Sequence, residues 1–460
     1  MLIPPGPRGR EVRGFFGGGS FAGTLDFLDK TARRFGPISS FRLLHKRIYL
    51  VDDADLIKEI LVTQQHNFER DSGAKLLREL VGDALITREE PDHRERRRVL
   101  QPAFHREQIA SYAQIMSTES GRFAREWRPG EIVDVRKEMR RLTLAIVGSS
   151  LFGADFRESA DGVADVLQRV TKRSRWLAPS FALIEPAVNF YRRVFPRGPS
   201  LFFQAERKEL EAIIMPIVER RRGAGTKDIL SLLLNEHDET DKPLNQQEVQ
   251  NEIVTFVLAG HETTASALTW TWLLLANHPQ AAARLHAEVD SVLGDREPTL
   301  EDVSALAYTS LVFQEAMRLY PPALAFARRP KVPLQLAGYT IPRQASVFLS
   351  PYITQRNPKY FQQPDEFRPE RWETDPAPPK FAYFPFGGGA KMCIGEPFAK
   401  LEGVLVLATL ARQWELERVE DDPVHPGPGW LLNPNRPICM RLKQRVAPSH
   451  KRINHLANLP

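Results

Sequence analysis

From Gln246 to Asn277 the chain carries a helical pattern of about 30 residues, a rod about 45 Å long at 1.5 Å per residue. Asn245 ahead of Glu248 is a start signal, and His278-Pro279 is a stop. Elements on both sides must pack against such a rod. This opposes splitting the chain into the two or three domains that its length alone suggests. The stretch Ile253 to Ala276 is apolar enough to imitate a membrane span, which needs about 20 such residues. Yet Gly260, His261, Glu262, Thr263 and Thr264 sit at its middle, where a charge is costly in lipid. It reads as a helix buried in a globular protein, with a polar feature at its centre.

The rest of the chain supplies a core for that helix. Hydrophobic residues are 42% and charged residues 26% of the 460, which excludes wholesale disorder, and the 28 glycines and 36 prolines show no collagen period. Short strands are expected at Ser39 to Leu44 and Arg47 to Val51, and a small sheet between Pro330 and Phe348. Gly121 to Trp127, Leu142 to Phe152 and Phe202 to Arg222 read as helices. The fold class is mainly α with small β-sheets (α+β), a single large helix-rich domain over 21–443. Residues 1–20 form an extended segment in which Pro4, Pro5 and Pro7 oppose a helix and no signal peptide is evident. The polar tail, 444–460, is frayed. Two cysteines, Cys393 and Cys439, make no disulfide framework, so a reducing cytoplasmic interior is expected.

With 63 Lys and Arg against 57 Asp and Glu the net charge is only +6, but Arg94, Arg96, Arg97 and Arg98 cluster. Such a stretch is a solvated helix face, the edge of an anionic cofactor, or a surface for an acidic partner. No zinc-ligand spacing, RNA-binding aromatic signature or heptad accompanies it, so no nucleic-acid partner is expected.

The sharpest local feature is FPFGGGAKMCIG, Phe384 to Gly395, followed by a helical pattern. Gly387, Gly388 and Gly389 allow a tight turn and close approach to a flat object. Cys393 stands just before a helix, where free N–H groups stabilise a thiolate, and Phe386 can shield its sulfur. A thiolate with backbone donors in a dry pocket suits axial ligation of haem iron. The same cysteine could be an inert buried thiol, or a nucleophile, although nothing points to a histidine base. In the long helix, Ala259 and Thr263 share a face. A hydroxyl there can bond its own i−4 carbonyl and open a groove beside small residues, with room for a diatomic ligand. Glu262 and Thr263 can pass protons into an apolar pocket; the plainer reading is a helix kink with a solvated acid.

Phe386, Gly389, Cys393 and Gly395, spaced F-x-x-G-x-x-x-C-x-G, resemble the haem-binding signature of the cytochrome P-450 family, and Ala259 to Thr264 resembles its A-G-x-[D/E]-T-T signature. Lys391 departs from the pattern, standing where the family usually carries arginine; it keeps a charge for a haem propionate but loses the two-pronged geometry. The resemblance implies the cytochrome P-450 fold, with haem b held by Cys393. It makes Thr263 the hydroxyl that steadies dioxygen and Glu262 a member of the proton relay. Glu315 and Arg318, with Arg371, resemble the family's structural E-x-x-R network, although alone the pair would be an ordinary surface salt bridge. His93 and Arg97 resemble a propionate-binding pair, with Arg328 as a third contact; Arg94 and Lys400 could face an electron donor.

Substrate contacts are expected from Ser72 to Leu85, Trp176 to Phe190, the face from Phe256 to Thr263 including Ala259, Leu324 to Phe326, and Trp430-Leu431. These are mostly apolar, and Trp176 to Phe195 would form a mobile lid. Cys439 reads as a strand core residue, and His237, His278 and His286 need no role. The function implied is a soluble, bacterial-type, monomeric haem-thiolate monooxygenase without a membrane anchor. It would insert one atom of O2 into a hydrophobic organic substrate while the second leaves as water. With no dinucleotide fingerprint and no cysteines for a cluster, NAD(P)H electrons would come through a separate ferredoxin- or flavodoxin-type donor and its reductase. The alternatives are a peroxide-driven peroxygenase and a non-catalytic haem-binding sensor.

Overall fold

Asn245 caps the central helix as its sequence requires. Its side chain accepts from Glu248 N at 3.0 Å while Asn245 N donates to Glu248 Oε2 at 3.1 Å, and the helix runs Gln246–Asn277. The computed structural model describes residues 2–43, 46–195, 200–220, 229–235, 244–373 and 377–445, leaving aside the side chains of 16–19, 175–186, 189 and 192. His237 and most of the lid segment's side chains lie outside that description.

Apolar residues surround the central helix, and helices Arg106–Glu126, Val135–Leu151, Ala307–Leu319 and Glu396–Gln413 contribute to the same core. Trp270 stacks on Tyr320 with centroids 3.9 Å apart, and its Nε1 donates to Leu432 O at 2.6 Å, so the one polar atom of a fully buried ring is satisfied. Two expected helices begin earlier than their apolar pattern. Gly121 to Trp127 is the end of Arg106–Glu126, and Leu142 to Phe152 belongs to Val135–Leu151, capped by Asp134 accepting from Arg136 N at 3.0 Å. No described helix is long and apolar enough to cross a membrane.

The sheets are small. Strands β1 (Ile38–Leu43) and β2 (Lys46–Val51) pair antiparallel, as expected, and β3 is Phe68–Arg70. Strands β4 (Ile132–Asp134), β5 (Phe326–Pro330), β6 (Leu334–Leu336), β7 (Tyr339–Ile341) and β8 (Ser346–Leu349) follow, then β9 (Trp414–Arg418) and β10 (Cys439–Gln444). Their order is β1-β2-β8-β5-β3 in the largest sheet, β4-β10-β9 in the second and β6-β7 in the third. The expected sheet between Pro330 and Phe348 is therefore the hairpin β6-β7 plus β8, which pairs with β2 in the largest sheet.

Three expectations are corrected. Residues 9–19 are not extended but form a 3-10 helix, because Val12 and Phe15, three apart, must both pack on the cluster of Phe27, Leu28 and Phe41, and i,i+3 positions eclipse in that geometry. Gln444 and Arg445 are not frayed. Gln444 pairs with Trp414, and Arg445 binds Asp290 at 2.7 Å. The tail beyond, 446–460, lies outside the described residues. Cys439 is only half-buried, opposite Asp134 on β4.

Candidate functional site

The cysteine loop is built by glycines for two different reasons. Gly387 and Gly389 have φ of 74° and 70°, where L side chains are strained, and a Cβ on Gly389 would lie 1.8 Å from Leu61 O. Gly388 has ordinary φ but admits the Phe381 ring 2.4 Å from where its Cβ would be. Phe386 O accepts from Cys393 N at 3.0 Å, closing the loop, and the half-buried Phe386 ring lies against the core. The helix Glu396–Gln413 follows directly.

Cys393 has exposed surface although protein encloses it on its other sides. Burial pushes its thiol up; N–H groups of Gly395 and Glu396 and the charge of Arg97 pull it down without prevailing. The helix-terminus donors expected from the sequence are present, but they do not by themselves make a thiolate. A cation against the sulfur would.

The polar break of the central helix presents two faces. Towards one lie Ala259, exposed midway along the buried stretch of the helix, and half-buried Thr263, whereas a Cβ on Gly260 would meet Val147 of Val135–Leu151 at 2.9 Å. The Thr263 hydroxyl donates to Ala259 O at 2.7 Å, the back-bonding its sequence implied. Towards the other lie His261 and Glu262, both buried. Glu262 is not a solvated acid. It forms an ion pair with Arg140, Nε to Oε1 at 2.7 Å, beside His261 Nε2 at 3.4 Å. Burial alone would push its carboxyl up, but His261, Arg140 and Arg136 outweigh it and hold it at about 2. Phe104 bridges helix and loop. It stacks on Phe256 with centroids 5.8 Å apart, and its ring lies within 4 Å of where a Cβ on Gly395 would be, as does Cys393 Sγ.

Arg97, Arg328 and Lys391, separate in sequence, gather with the His93 imidazole beside the cysteine loop. Arg97 Nη1 donates to Met392 O at 2.6 Å, next to Cys393, while His93 feels the charges of Arg70 and Lys391. Arg70, which the sequence reading missed, joins them because β3 and β5 set it opposite Arg328. Burial holds the Arg70 guanidinium down to about 10, and burial with Arg70 holds His93 down to about 4. Lys391 forms an ion pair with Glu89, which also accepts from Arg70 N at 2.6 Å. The basic stretch thus divides: Arg94 and Arg98 are exposed, whereas His93 and Arg96 are buried. Among the described residues Arg70, Arg97 and Arg328 are in no ion pair, although Glu89 acts on Arg70 and Arg328 from a distance, which fits a flat group bearing two carboxylates at its edge.

Glu402 is a further polar group beside the loop that its local sequence does not assign. It is fully buried in the helix after the cysteine, and burial pushes its carboxyl well up, with the Thr264 hydroxyl as polar neighbour. A lone acid in the apolar run FAKLEGVLVLATLA was the available signal. Glu315 and Arg318 are both fully inaccessible and bind at 2.8 Å, with Arg371 Nε on Glu315 Oε1 at 2.8 Å, which removes the surface-pair reading. Arg318 also donates to Gln355 O at 2.8 Å, and Gln355 Oε1 accepts from Phe384 N at 3.1 Å, tying the network to the cysteine loop. Among expected substrate contacts, half-buried Phe326 packs on Phe384 and beside Gly387. Trp430 meets Phe203 edge-on, and Leu431 bridges to Ala323, next to Leu324.

A family model described as cytochrome P450 matches residues 4–441. The chain belongs to the cytochrome P450 family. It is 35% identical over 406 residues to cyclooctatin synthase of Streptomyces melanosporofaciens, covering 86% of each chain. It is 34% identical to cyclooctat-9-en-7-ol 5-monooxygenase of that organism, over 84% of this chain and 83% of the relative. Pentalenene oxygenase of Streptomyces avermitilis is 30% identical over 90% of each chain. This cytochrome P450 is therefore a monooxygenase, an oxidoreductase whose cofactor is haem b held by a cysteine thiolate. Its reaction takes O2, a hydrophobic substrate and electrons from a redox partner.

Proposed function

We propose that Cys393 supplies the thiolate and that this enzyme hydroxylates an apolar cyclic terpenoid above it. The observation carrying this reading is exposed Ala259 with half-buried Thr263 midway along a buried helix, joined through Phe104 and Phe256 to a cysteine that itself has exposed surface. When bound, the haem supplies the reduction of O2 and delivery of one oxygen atom to the substrate.

The chain's own residues do the rest. Arg97, Arg328 and Arg70, with His93 and Lys391, hold the two propionates, and Phe386 and Gly389 shape the sulfur side. Thr263 places a hydroxyl at the open groove, with the small side chain of Ala259 leaving it room, while Gly260 lets the helix pack closely on Val147. Glu262 carries the proton on its carboxylate once Arg140 yields it. Phe256, Leu324, Phe326, Trp430 and Leu431 exclude water and favour an apolar occupant. The substrate class is supported by the names of the relatives, which refer to pentalenene and cyclooctat-9-en-7-ol. Electrons come from a separate ferredoxin- or flavodoxin-type donor docking near exposed Arg94 and Lys400, with the enzyme a monomer acting in the cytoplasm.

Turnover of a cyclic terpene panel with a surrogate ferredoxin and reductase tests this. The wild type should give hydroxylated product. Thr263→Ala should keep consuming NAD(P)H while product per electron pair falls about tenfold or more. Cys393→Ala should lose the long-wavelength carbon monoxide band of the reduced enzyme. Unchanged coupling in Thr263→Ala, or a retained band in Cys393→Ala, would overturn the assignment.

A further inference from the structure

A second cavity, of about 570 Å³, shares no lining residue with the site above. It exists because the N-terminal segment lies along β1, fixed by Ser40 N donating to Pro5 O at 2.8 Å and Ser40 Oγ to Pro4 O at 3.0 Å. Arg8 and Arg13 line it from the segment, and Arg42 and Arg47 from the β1-β2 hairpin. None of its lining residues is acidic. Glu11, the nearest acid along the segment, is engaged elsewhere, accepting from Arg8 N at 3.2 Å and from Arg34 at 3.1 Å. Among the described residues none of the four arginines forms an ion pair; Arg47 donates to Ser40 Oγ at 3.3 Å. The floor is apolar, with Phe41 almost fully buried and Leu43 and Val12 half-buried. At the rim Ile3 is 47% exposed, beside Leu2 at 67%.

Four like charges around one concavity repel one another unless an anion joins them. Guanidinium forks match the oxygens of phosphate, each pair making two parallel bonds. A bare ion would leave the apolar floor and rim wet. Only a ligand with a charged head and an apolar chain satisfies both halves of the cavity. We propose that this cleft binds a phosphate-headed amphiphile, the arginines taking the head and the floor taking the chain. That chemistry occurs in a phosphate-bearing membrane lipid and in a free alkyl or isoprenoid phosphate.

The test uses the full-length, haem-loaded protein and its R13Q/R42Q variant. Sedimentation with phosphatidylglycerol vesicles is compared with phosphatidylcholine vesicles, and decyl phosphate below its micellar concentration is compared with inorganic phosphate by calorimetry. Binding to phosphatidylglycerol or to decyl phosphate should weaken at least about tenfold in the variant, with the haem spectrum unchanged. Vesicle binding alone identifies a lipid headgroup as the source, and decyl phosphate binding in solution identifies a free amphiphile. The proposal is overturned if neither probe binds, if binding survives in R13Q/R42Q and so belongs elsewhere, or if inorganic phosphate binds as tightly as decyl phosphate.

Discussion

Replacing Glu252 with glutamine should flatten the pH dependence of stability between about pH 4.5 and 7. Glu252 lies in the central helix with no exposed surface, accepting from Leu85 N at 3.0 and 3.1 Å, with Arg96 Nε 3.4 Å away. Burial pushes its carboxyl from 4.5 up to about 7, and Arg96 and the Leu85 N–H offset only part of that. Because the folded value exceeds the unfolded one, the group's contribution is complete below pH 4.5. It is lost as pH rises towards and through 7. A span of about 2.5 in pH at 1.36 kcal/mol each corresponds to about 3 kcal/mol. Glutamine keeps an acceptor for Leu85 N and never ionises. Urea unfolding of the haem-loaded protein at pH 5, 6, 7 and 8 should therefore show the wild type losing about 2–3 kcal/mol more than Glu252→Gln over that range, part of the loss having occurred below pH 5. Asp52, which burial raises to about 7 despite the hydrogen bond from Asn357, acts with the same sign, so the variant retains some slope. His286, held at about 4, acts oppositely in both proteins and cancels in the difference. Equal slopes in wild type and variant would refute the reasoning.

Two further substitutions test the framework around the cysteine. Gly389→Ala meets both a positive φ and Leu61 O, whereas Gly387→Ala meets the same kind of φ but only the Phe326 ring at 3.3 Å. The first should lose clearly more than the about 1–2 kcal/mol attributable to φ, and bind less haem than the second, as read by thermal midpoint and haem content. Arg318→Lys cannot reproduce the two bonds to Glu315 together with those to Gln355, Pro364 and Glu366 carbonyls. It should cost about 3–5 kcal/mol in urea unfolding and lower the haem-loaded fraction.

Much of the site was legible because its signals are local. The three glycines, the cysteine before a helix, and Ala259 with Thr263 each depend on spacings of four residues or fewer, which backbone geometry converts directly into a turn or a shared face. Residues whose roles depend on partners far along the chain were not legible. Arg70 counts only because β3 lies against β5, Arg140 only because Val135–Leu151 crosses the central helix at Glu262, and Arg96 reads as a surface cation until Glu252 is seen against it.

The chain's own pattern determined the length and both ends of the central helix, since a capping box and a proline act within one turn. It likewise determined the strand pair β1-β2 and the loop around Cys393. Tertiary packing decided the ionisation of each group around them. Glu262 is held charged, the Glu402 carboxyl is pushed well up, and Cys393 is pushed towards its thiol form, although a helix terminus stands beside it. Desolvation and opposing charge act through space, and which charges face one another is known only when distant segments have come together.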